Sequence, residues 1–67
     1  MRFKEIERAL KAAGFVHIRT NGSHFIYYNA KTRRKATVPN HGPSDIALGT
    51  LKKIEETSGV TLRNRRK

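Results

Sequence analysis

The sequence from position 15 to position 29 reads Phe15-Val16-His17-Ile18-Arg19-Thr20, then Asn21-Gly22, then Ser23-His24-Phe25-Ile26-Tyr27-Tyr28-Asn29. β-Branched and aromatic side chains dominate on both sides of the Asn21-Gly22 pair, and such side chains favour strands. Asn-Gly is a strong hairpin signal, because both residues tolerate the positive φ angles of a two-residue turn. We therefore predict a β-hairpin with its turn at Asn21-Gly22, a first strand over 15–20 and a return strand over 23–29.

A helix is predicted before the hairpin and a third strand after it. Four apolar residues recur at helical spacing near the start of the chain: Phe3, Ile6, Leu10 and Ala13. Gly14 follows them where a left-handed cap would end a helix, so the first helix is predicted over about residues 2–13. A polar turn at 30–33 then leads to a third strand from Arg34 to Val38, which Pro39 ends.

A second helix is predicted near the C-terminus. Leu51, Ile54 and Ser58 share one helical face, and Gly59 ends the helix. Ser44 or, in preference, Thr50 would cap its N-terminus, because a hydroxyl oxygen can accept hydrogen bonds from the free amides there.

The predicted order of elements is α-β-β-β-α. A three-stranded sheet needs one covered face to be stable, and two amphipathic helices can cover it. The expected fold class is therefore α+β, a two-layer sandwich like that of double-stranded-RNA-binding domains, with an antiparallel sheet and both helices on one face. With 67 residues the chain has room for a single domain, assigned to residues 1–62, followed by a basic tail at 63–67 that we expect to be mobile.

The charge balance points to a polyanionic partner. Fifteen Lys and Arg against five Asp and Glu give a formal net charge of +10, and no carboxylate occurs between Arg8 and Ser44. The chain has no cysteine, which excludes disulfide and Cys-ligated metal sites. No apolar run approaches the roughly 20 residues of a membrane span. We expect a cytoplasmic protein without a membrane, metal or small-molecule cofactor requirement.

The predicted hairpin pairs Arg19 with His24 on the sheet face turned away from the helices. Val16, Ile18, Phe25 and Tyr27 would then face the core, whereas the opposite face would gather a cationic and aromatic set: Phe15, His17, Arg19, His24, Ile26, Tyr28, Lys35 and Thr37. A guanidinium beside His24 would disfavour its imidazolium form. A neutral His24 could remove a proton from an RNA 2′-hydroxyl while Arg19 and Lys35 hold the phosphate, with no metal required.

Two other functions remain open on the residues alone. A basic RNA- or DNA-binding module without catalysis would use the same face, with Tyr28 and Phe15 stacking on bases and Arg33, Arg34 and Lys35 on phosphates. An interaction protein that pairs with an acidic partner would also explain the charge. A single strand histidine is more often a surface residue or a phosphate contact than a catalyst.

Three short motifs give the chain a resemblance to the HicA toxins, small mRNA interferases of type II toxin–antitoxin systems. They are Gly22-Ser23-His24 at the start of a strand, Pro39-Asn40-His41-Gly42 after the third strand, and Gly49-Thr50-Leu51-Lys52-Lys53-Ile54 at a helix start. Arg19 also occupies a position where the family usually has a basic residue. The resemblance covers about residues 3–60.

The resemblance implies an endoribonuclease that cleaves single-stranded mRNA and is inhibited by a HicB antitoxin. It implies His24 as the catalytic residue, with Gly22, Ser23, Arg19 and His41 as motif or supporting residues. His17, Tyr28, Arg33, Arg34 and Lys35 are expected to contact RNA. The residue that protonates the leaving 5′-oxygen is left open between water, His41 and His17.

Overall fold

The computed structural model describes residues 1–40 and 45–62. Two helices and three strands occur in the order α1 (Phe3–Ala12), β1 (Val16–Asn21), β2 (His24–Asn29), β3 (Arg34–Pro39) and α2 (Leu48–Ser58). The strands form one antiparallel sheet in the order β1-β2-β3. The predicted α-β-β-β-α order and the α+β class are confirmed. His41 and the basic tail at 63–67 lie outside the described residues.

The end of α1 directs the chain into the sheet. Gly14 has φ 102°, a left-handed conformation that costs glycine little. Its amide donates to the Lys11 carbonyl (3.0 Å), and the Phe15 amide donates to the Leu10 carbonyl (2.9 Å), the two bonds of a Schellman cap. Phe15 therefore enters the core and is only 2% exposed. The prediction that Phe15 lies on the outward face as a stacking platform is wrong.

The hairpin turn lies one residue later than predicted. β1 continues to Asn21, which pairs with His24, so the two residues of the turn are Gly22 and Ser23. Gly22 alone takes positive φ there, at 65°. A glycine at the first central position suffices for a two-residue turn, and so Asn21 can remain in the strand.

β1 contains a bulge between His17 and Arg19, which changes the pairing register within the strand. Because the side-chain period of a strand is two, such an extra residue exchanges the two faces beyond it. Val16 and Ile18, predicted to face the core, are 58% and 50% exposed. That prediction is wrong, and β1 is an exposed edge strand along its whole length.

The hydrophobic core lies between the helices and one face of β2 and β3. It includes Tyr27, Ala36 and Val38 from the sheet, with residues of both helices packed against them: Phe3, Ile6, Leu10, Leu51 and Ile54. Phe25 packs against the edge of this cluster. The predicted inward face of β2 and β3 is thus correct, and the alternate residues of these strands point away from the helices.

The second helix begins without the predicted hydroxyl cap. Its N-cap is Ala47, whose carbonyl accepts the first helical bond from the Leu51 amide (3.0 Å). Thr50 lies inside the first turn, and Ser44 lies outside the described residues. Gly59 ends the helix at φ 76°, as predicted. The Leu48 side chain is 60% exposed, so this apolar residue lies outside the buried face formed by Leu51, Ile54 and Ser58.

Candidate nucleic-acid interface and catalytic site

The sheet face turned away from the helices carries nine residues in three rows across the strands. The rows are Asn21–His24–Pro39, then Arg19–Ile26–Thr37, then Val16–Tyr28–Lys35. We call these nine residues the open face. None of them is acidic, and Arg19, Lys35 and His24 supply cationic or protonatable groups. The open face is therefore suited to a polyanion.

His24 is the first residue of β2 and lies in the central column of the open face. Its side chain is exposed, as predicted, and its cross-strand neighbours are Asn21 and Pro39. The turn beside it is held by the residue that follows β3, because the Asn40 amide donates to the Ser23 carbonyl at 2.7 Å. Gly22 has the turn position that the sequence assigned to it, whereas Ser23, predicted to begin the return strand, is the second turn residue; together they fix where His24 enters the strand.

Arg19 does not oppose His24. It pairs with Ile26, one row farther from the turn, and is a diagonal neighbour of His24. Diagonal neighbours in an antiparallel pair lie about 7–8 Å apart, within reach of a long side chain. The predicted direct pairing is wrong, because it assumed the turn at Asn21-Gly22. The guanidinium can still approach an anion bound beside His24.

A groove of about 670 Å³ runs from His24 across the edge of β3 to α2. Its described lining comes from the open face and from one side of the helix: His24, Lys35, Thr37, Pro39, Gly49, Thr50, Lys53, Ile54 and Thr57. These lining residues include two lysines and no carboxylate. The groove therefore joins the candidate catalytic histidine to a second cation, Lys53, that belongs to a different element.

The contribution of α2 to this groove was missed from the sequence. Gly49, Lys53 and Thr57 recur every fourth residue, which puts them in one row along the helix. This row lies beside the buried row of Leu51 and Ile54. This repeat of small and cationic residues could have indicated a helix surface that lies next to the sheet. Only the packing of α2 on β3 shows that the surface borders β3.

His17 lies on the helix side of the sheet, away from His24. It pairs with Tyr27, and its ring stacks on Phe25 with a centroid distance of 5.0 Å and approaches Tyr27 at 5.4 Å. Its Nε2 forms a 2.8 Å hydrogen bond with Oγ1 of Thr20. The expectation that His17 shares the outward face is wrong because the bulge reverses this part of β1. Its contact with RNA stays a prediction.

Arg33 and Arg34 lie at the opposite end of β3 from Pro39, the residue that pairs with His24. Five residue-to-residue steps of about 3.4 Å separate Arg34 from Pro39 by about 17 Å. Arg33 has φ 62° in the turn before β3. The Arg34 guanidinium donates to the carbonyls of Glu56 (3.3 Å) and Thr57 (3.5 Å) at the end of α2. Their roles in RNA binding stay predictions, and Arg34 also serves the fold.

Tyr28 and Lys35 share the row of the open face farthest from the turn. Lys35 is exposed and Tyr28 is half-buried, so both remain accessible to a ligand, as expected. Within residues 1–40 and 45–62, no three His, Cys, Asp or Glu side chains come together in a way that could hold a metal ion. In the same ranges, neither helix is long and apolar enough to cross a bilayer.

Comparison with known proteins assigns the family. Residues 3–60 match the family model described as HicA toxin of bacterial toxin–antitoxin systems. No individual curated protein matched the chain. The matched residues contain both helices, the whole sheet and all the residues described around the groove. As the motifs around His24 and Gly49 had indicated, this chain belongs to the HicA family of toxins of bacterial toxin–antitoxin systems.

Proposed function

We propose that this protein is a metal-independent endoribonuclease that cleaves single-stranded mRNA, with His24 as its catalytic base. The observation that carries the proposal is the exposed position of His24 on an acid-free, cationic sheet face, in a chain of a toxin family. A general base must reach the proton that it removes, and the exposed side chain of His24 is accessible to a 2′-hydroxyl bound on the open face. Such an enzyme would act on mRNA in the cytoplasm.

The proposed reaction is an internal transfer at phosphorus. His24 takes the proton of the 2′-hydroxyl, and the 2′-oxygen attacks the adjacent phosphorus. The bond from phosphorus to the 5′-oxygen breaks, which leaves a 2′,3′-cyclic phosphate and a 5′-hydroxyl end. Negative charge builds on the non-bridging oxygens, where Arg19 and Lys35 can stabilise it.

The leaving 5′-oxygen must gain a proton in the same step. His17 lies across the sheet from His24, so its position argues against this role. Water and His41, which lies outside the described residues, remain the candidates. If water supplies this proton, the pH dependence of the cleavage rate should reflect the ionisation of one histidine only. If His41 supplies it, the profile should also show the ionisation of a second histidine, which must be protonated for activity.

The test compares two histidines on opposite faces of the sheet. His24→Gln and His17→Gln are each incubated with a single-stranded mRNA in EDTA, and product ends are identified by their phosphate chemistry. We expect His24→Gln to lose about 10²–10⁴-fold in cleavage rate, as removal of a general base does. His17→Gln should stay within a few-fold of the parent. Uncut RNA with the parent protein, or equal cleavage by His24→Gln, would refute the proposal.

The same experiment detects the alternative function, a basic binding module without catalysis. The accessible Tyr28 and Lys35 would support such a module, because stacking and phosphate contacts need no reaction. Its signature is salt-sensitive RNA binding that His24→Gln retains, with no cleavage by any form of the protein.

We further propose a HicB-type antitoxin as the protein partner, with an acidic surface that covers the open face. The net charge of +10 and the absence of acidic residues from the open face support an acidic partner. Lys35→Glu should weaken the complex, and saturating antitoxin should abolish RNA cleavage by the parent. Full activity in a saturated complex would contradict this assignment.

A further inference from the structure

We propose that the groove between β3 and α2 is a nucleotide subsite, which holds the nucleotide next to the phosphate attacked at His24. In this subsite Lys53 contacts a phosphate of the RNA, and a base enters the space beside Gly49. The proposal rests on the ribonuclease function above, since it treats His24 as the reaction centre. It adds a specificity-determining surface on α2 that the histidine alone does not supply.

The shape and lining of the groove suit a base. Its volume of about 670 Å³ lies within the range of small-molecule sites. Ile54 and Pro39 give it apolar surface, and Thr37, Thr50 and Thr57 add methyl groups and hydroxyls. Gly49 leaves it open, because a Cβ built at that position would have no atom within 4 Å. A flat aromatic base can use the apolar surface while its edge meets the hydroxyls.

The charges of the groove suit the backbone attached to that base. Lys35 lines it from the sheet and Lys53 from the helix, so a bound phosphodiester would meet cations from two directions. Both lysines are exposed, and no acidic residue is among the described residues that line the groove. Because His24 lines the same groove, a nucleotide held there is next to the reaction centre rather than at a remote binding surface.

Adjacent lysines on α2 provide a matched test of the phosphate contact. Lys53 lines the groove, whereas Lys52 is exposed and does not line it. Binding of a 2′-O-methyl oligoribonucleotide, which cannot be cleaved by this route, is measured for Lys53→Gln and Lys52→Gln. We expect a loss of about 5–10-fold for Lys53→Gln, about the net contribution of one hydrogen bond, and less than 2-fold for Lys52→Gln. Equal losses would show diffuse attraction to the net charge and overturn the subsite.

The variant Gly49→Leu tests whether an RNA base occupies the space beside Gly49. Leucine favours helices and has space at this position, so thermal unfolding should occur at or above the parent temperature. The variant should cut RNA about tenfold more slowly than the parent and shift the choice of cleavage sites. An abasic residue beside the cleaved bond should slow the parent but add nothing to the loss in Gly49→Leu. If both proteins respond equally to the abasic residue, no base occupies the groove.

The two proposals fail separately. If the parent binds the 2′-O-methyl RNA through Lys53 but cleaves nothing, the subsite stands as a binding site and the ribonuclease function is wrong. If the parent cleaves RNA through His24 while Lys53→Gln and Gly49→Leu behave as the parent does, the ribonuclease function stands and the subsite is wrong.

Discussion

The phenol of Tyr27 donates a 2.6 Å hydrogen bond to Oε2 of Glu7, which joins the middle strand of the sheet to α1. The Tyr27 side chain is fully buried, and Nζ of Lys11 lies 3.8 Å from the same carboxylate oxygen. Burial, together with the hydrogen bond to Glu7 and its negative charge, raises the pKa of Tyr27 well above its usual value. The helix side of β2 is therefore held by a polar contact as well as by packing, and its other side is left for a ligand.

This contact predicts a loss of stability in alkaline solution. The phenol has a pKa near 10 in the unfolded chain and a higher one in the fold, so its contribution is complete below about pH 10 and declines above it. Tyr27→Phe should cost about 1–2 kcal/mol at pH 7 through the lost hydrogen bond. Above pH 10 the gap between the two proteins should narrow by about 1.4 kcal/mol per pH unit.

Urea unfolding followed by circular dichroism between pH 7 and pH 11 measures this gap. Every other ionisable side chain is common to both proteins, so the difference between the curves isolates Tyr27. A difference that stays constant up to pH 11 would contradict the proposed role of the buried phenol.

Asn29 joins the end of α1 to the turn between β2 and β3. Its Nδ2 donates to the Ala13 carbonyl at 3.0 Å, and its Oδ1 accepts from the amides of Lys31 (2.9 Å) and Thr32 (3.3 Å). The residue is only 4% exposed, so Asn29→Ala leaves these groups unpaired and should lower the free energy of unfolding by about 2–3 kcal/mol.

The variant Asn29→Asp tests the donor role of this side chain separately from its acceptor role. The carboxylate can still accept from both amides but faces the Ala13 carbonyl without a proton, so the variant should be destabilised at pH 7. Protonation restores a donor, and the deficit relative to the parent should shrink as the pH falls from 7 to 4. Thermal melts at both pH values measure it, and a deficit that grows on acidification would show that the donor contact is unimportant.

Arg34 and Lys35 are neighbours with separate effects, because successive strand residues face opposite sides of a sheet. Arg34→Met removes the bonds to the carbonyls of Glu56 and Thr57 and should cost about 0.5–1 kcal/mol of stability. Lys35→Met should leave stability within about 0.5 kcal/mol but weaken RNA binding. It should also reduce the slope of log K against log salt by about 0.7, the share of one phosphate contact on single-stranded RNA.

Unfolding curves and RNA titrations at several salt concentrations separate the two effects. The two variants carry the same change of net charge, so each is the control for the other. If Arg34→Met reduced the salt slope as much as Lys35→Met and left stability unchanged, the assignment of Arg34 to the fold would be wrong.

Ile6 in α1 and Ile18 at the bulge of β1 are expected to differ sharply in their contribution to stability. Ile6 is fully buried and Ile18 is 50% exposed. Ile6→Ala should cost about 2–5 kcal/mol, the range for truncation in a core. Ile18→Ala should cost less than about 1 kcal/mol, since it removes a side chain that remains in contact with water. Chemical unfolding of both variants decides the matter, and a core-sized loss at Ile18 would favour the register first predicted from the sequence.

The outward position of His24 was predicted correctly, although the predicted register of the hairpin was wrong. The turn lies one residue later than predicted, so the partner of His24 moved from Arg19 to Asn21, two positions along β1. A change of two residues in the pairing register keeps every side chain on its predicted face of the sheet. The bulge adds a change of one residue, which moves His17 from the open face to the helix side. The sequence could not specify that second shift, because a bulge depends on how an edge strand packs rather than on any local pattern.

The order of the elements, the family and the side of β2 to which His24 belongs could all be predicted from the amino-acid sequence. The family was indicated by three short motifs, whereas the order of the elements and the side of His24 rest on local periodicity. Phe25 and Tyr27 need burial, and their alternation with His24 sends the imidazole outward. The groups that surround that imidazole could be identified only from the folded chain. Asn21 lies beside it through the turn geometry, and Lys53 lines the same groove because α2 packs along β3. Contacts between residues distant in the chain depend on register and packing, and no short stretch of sequence contains that information.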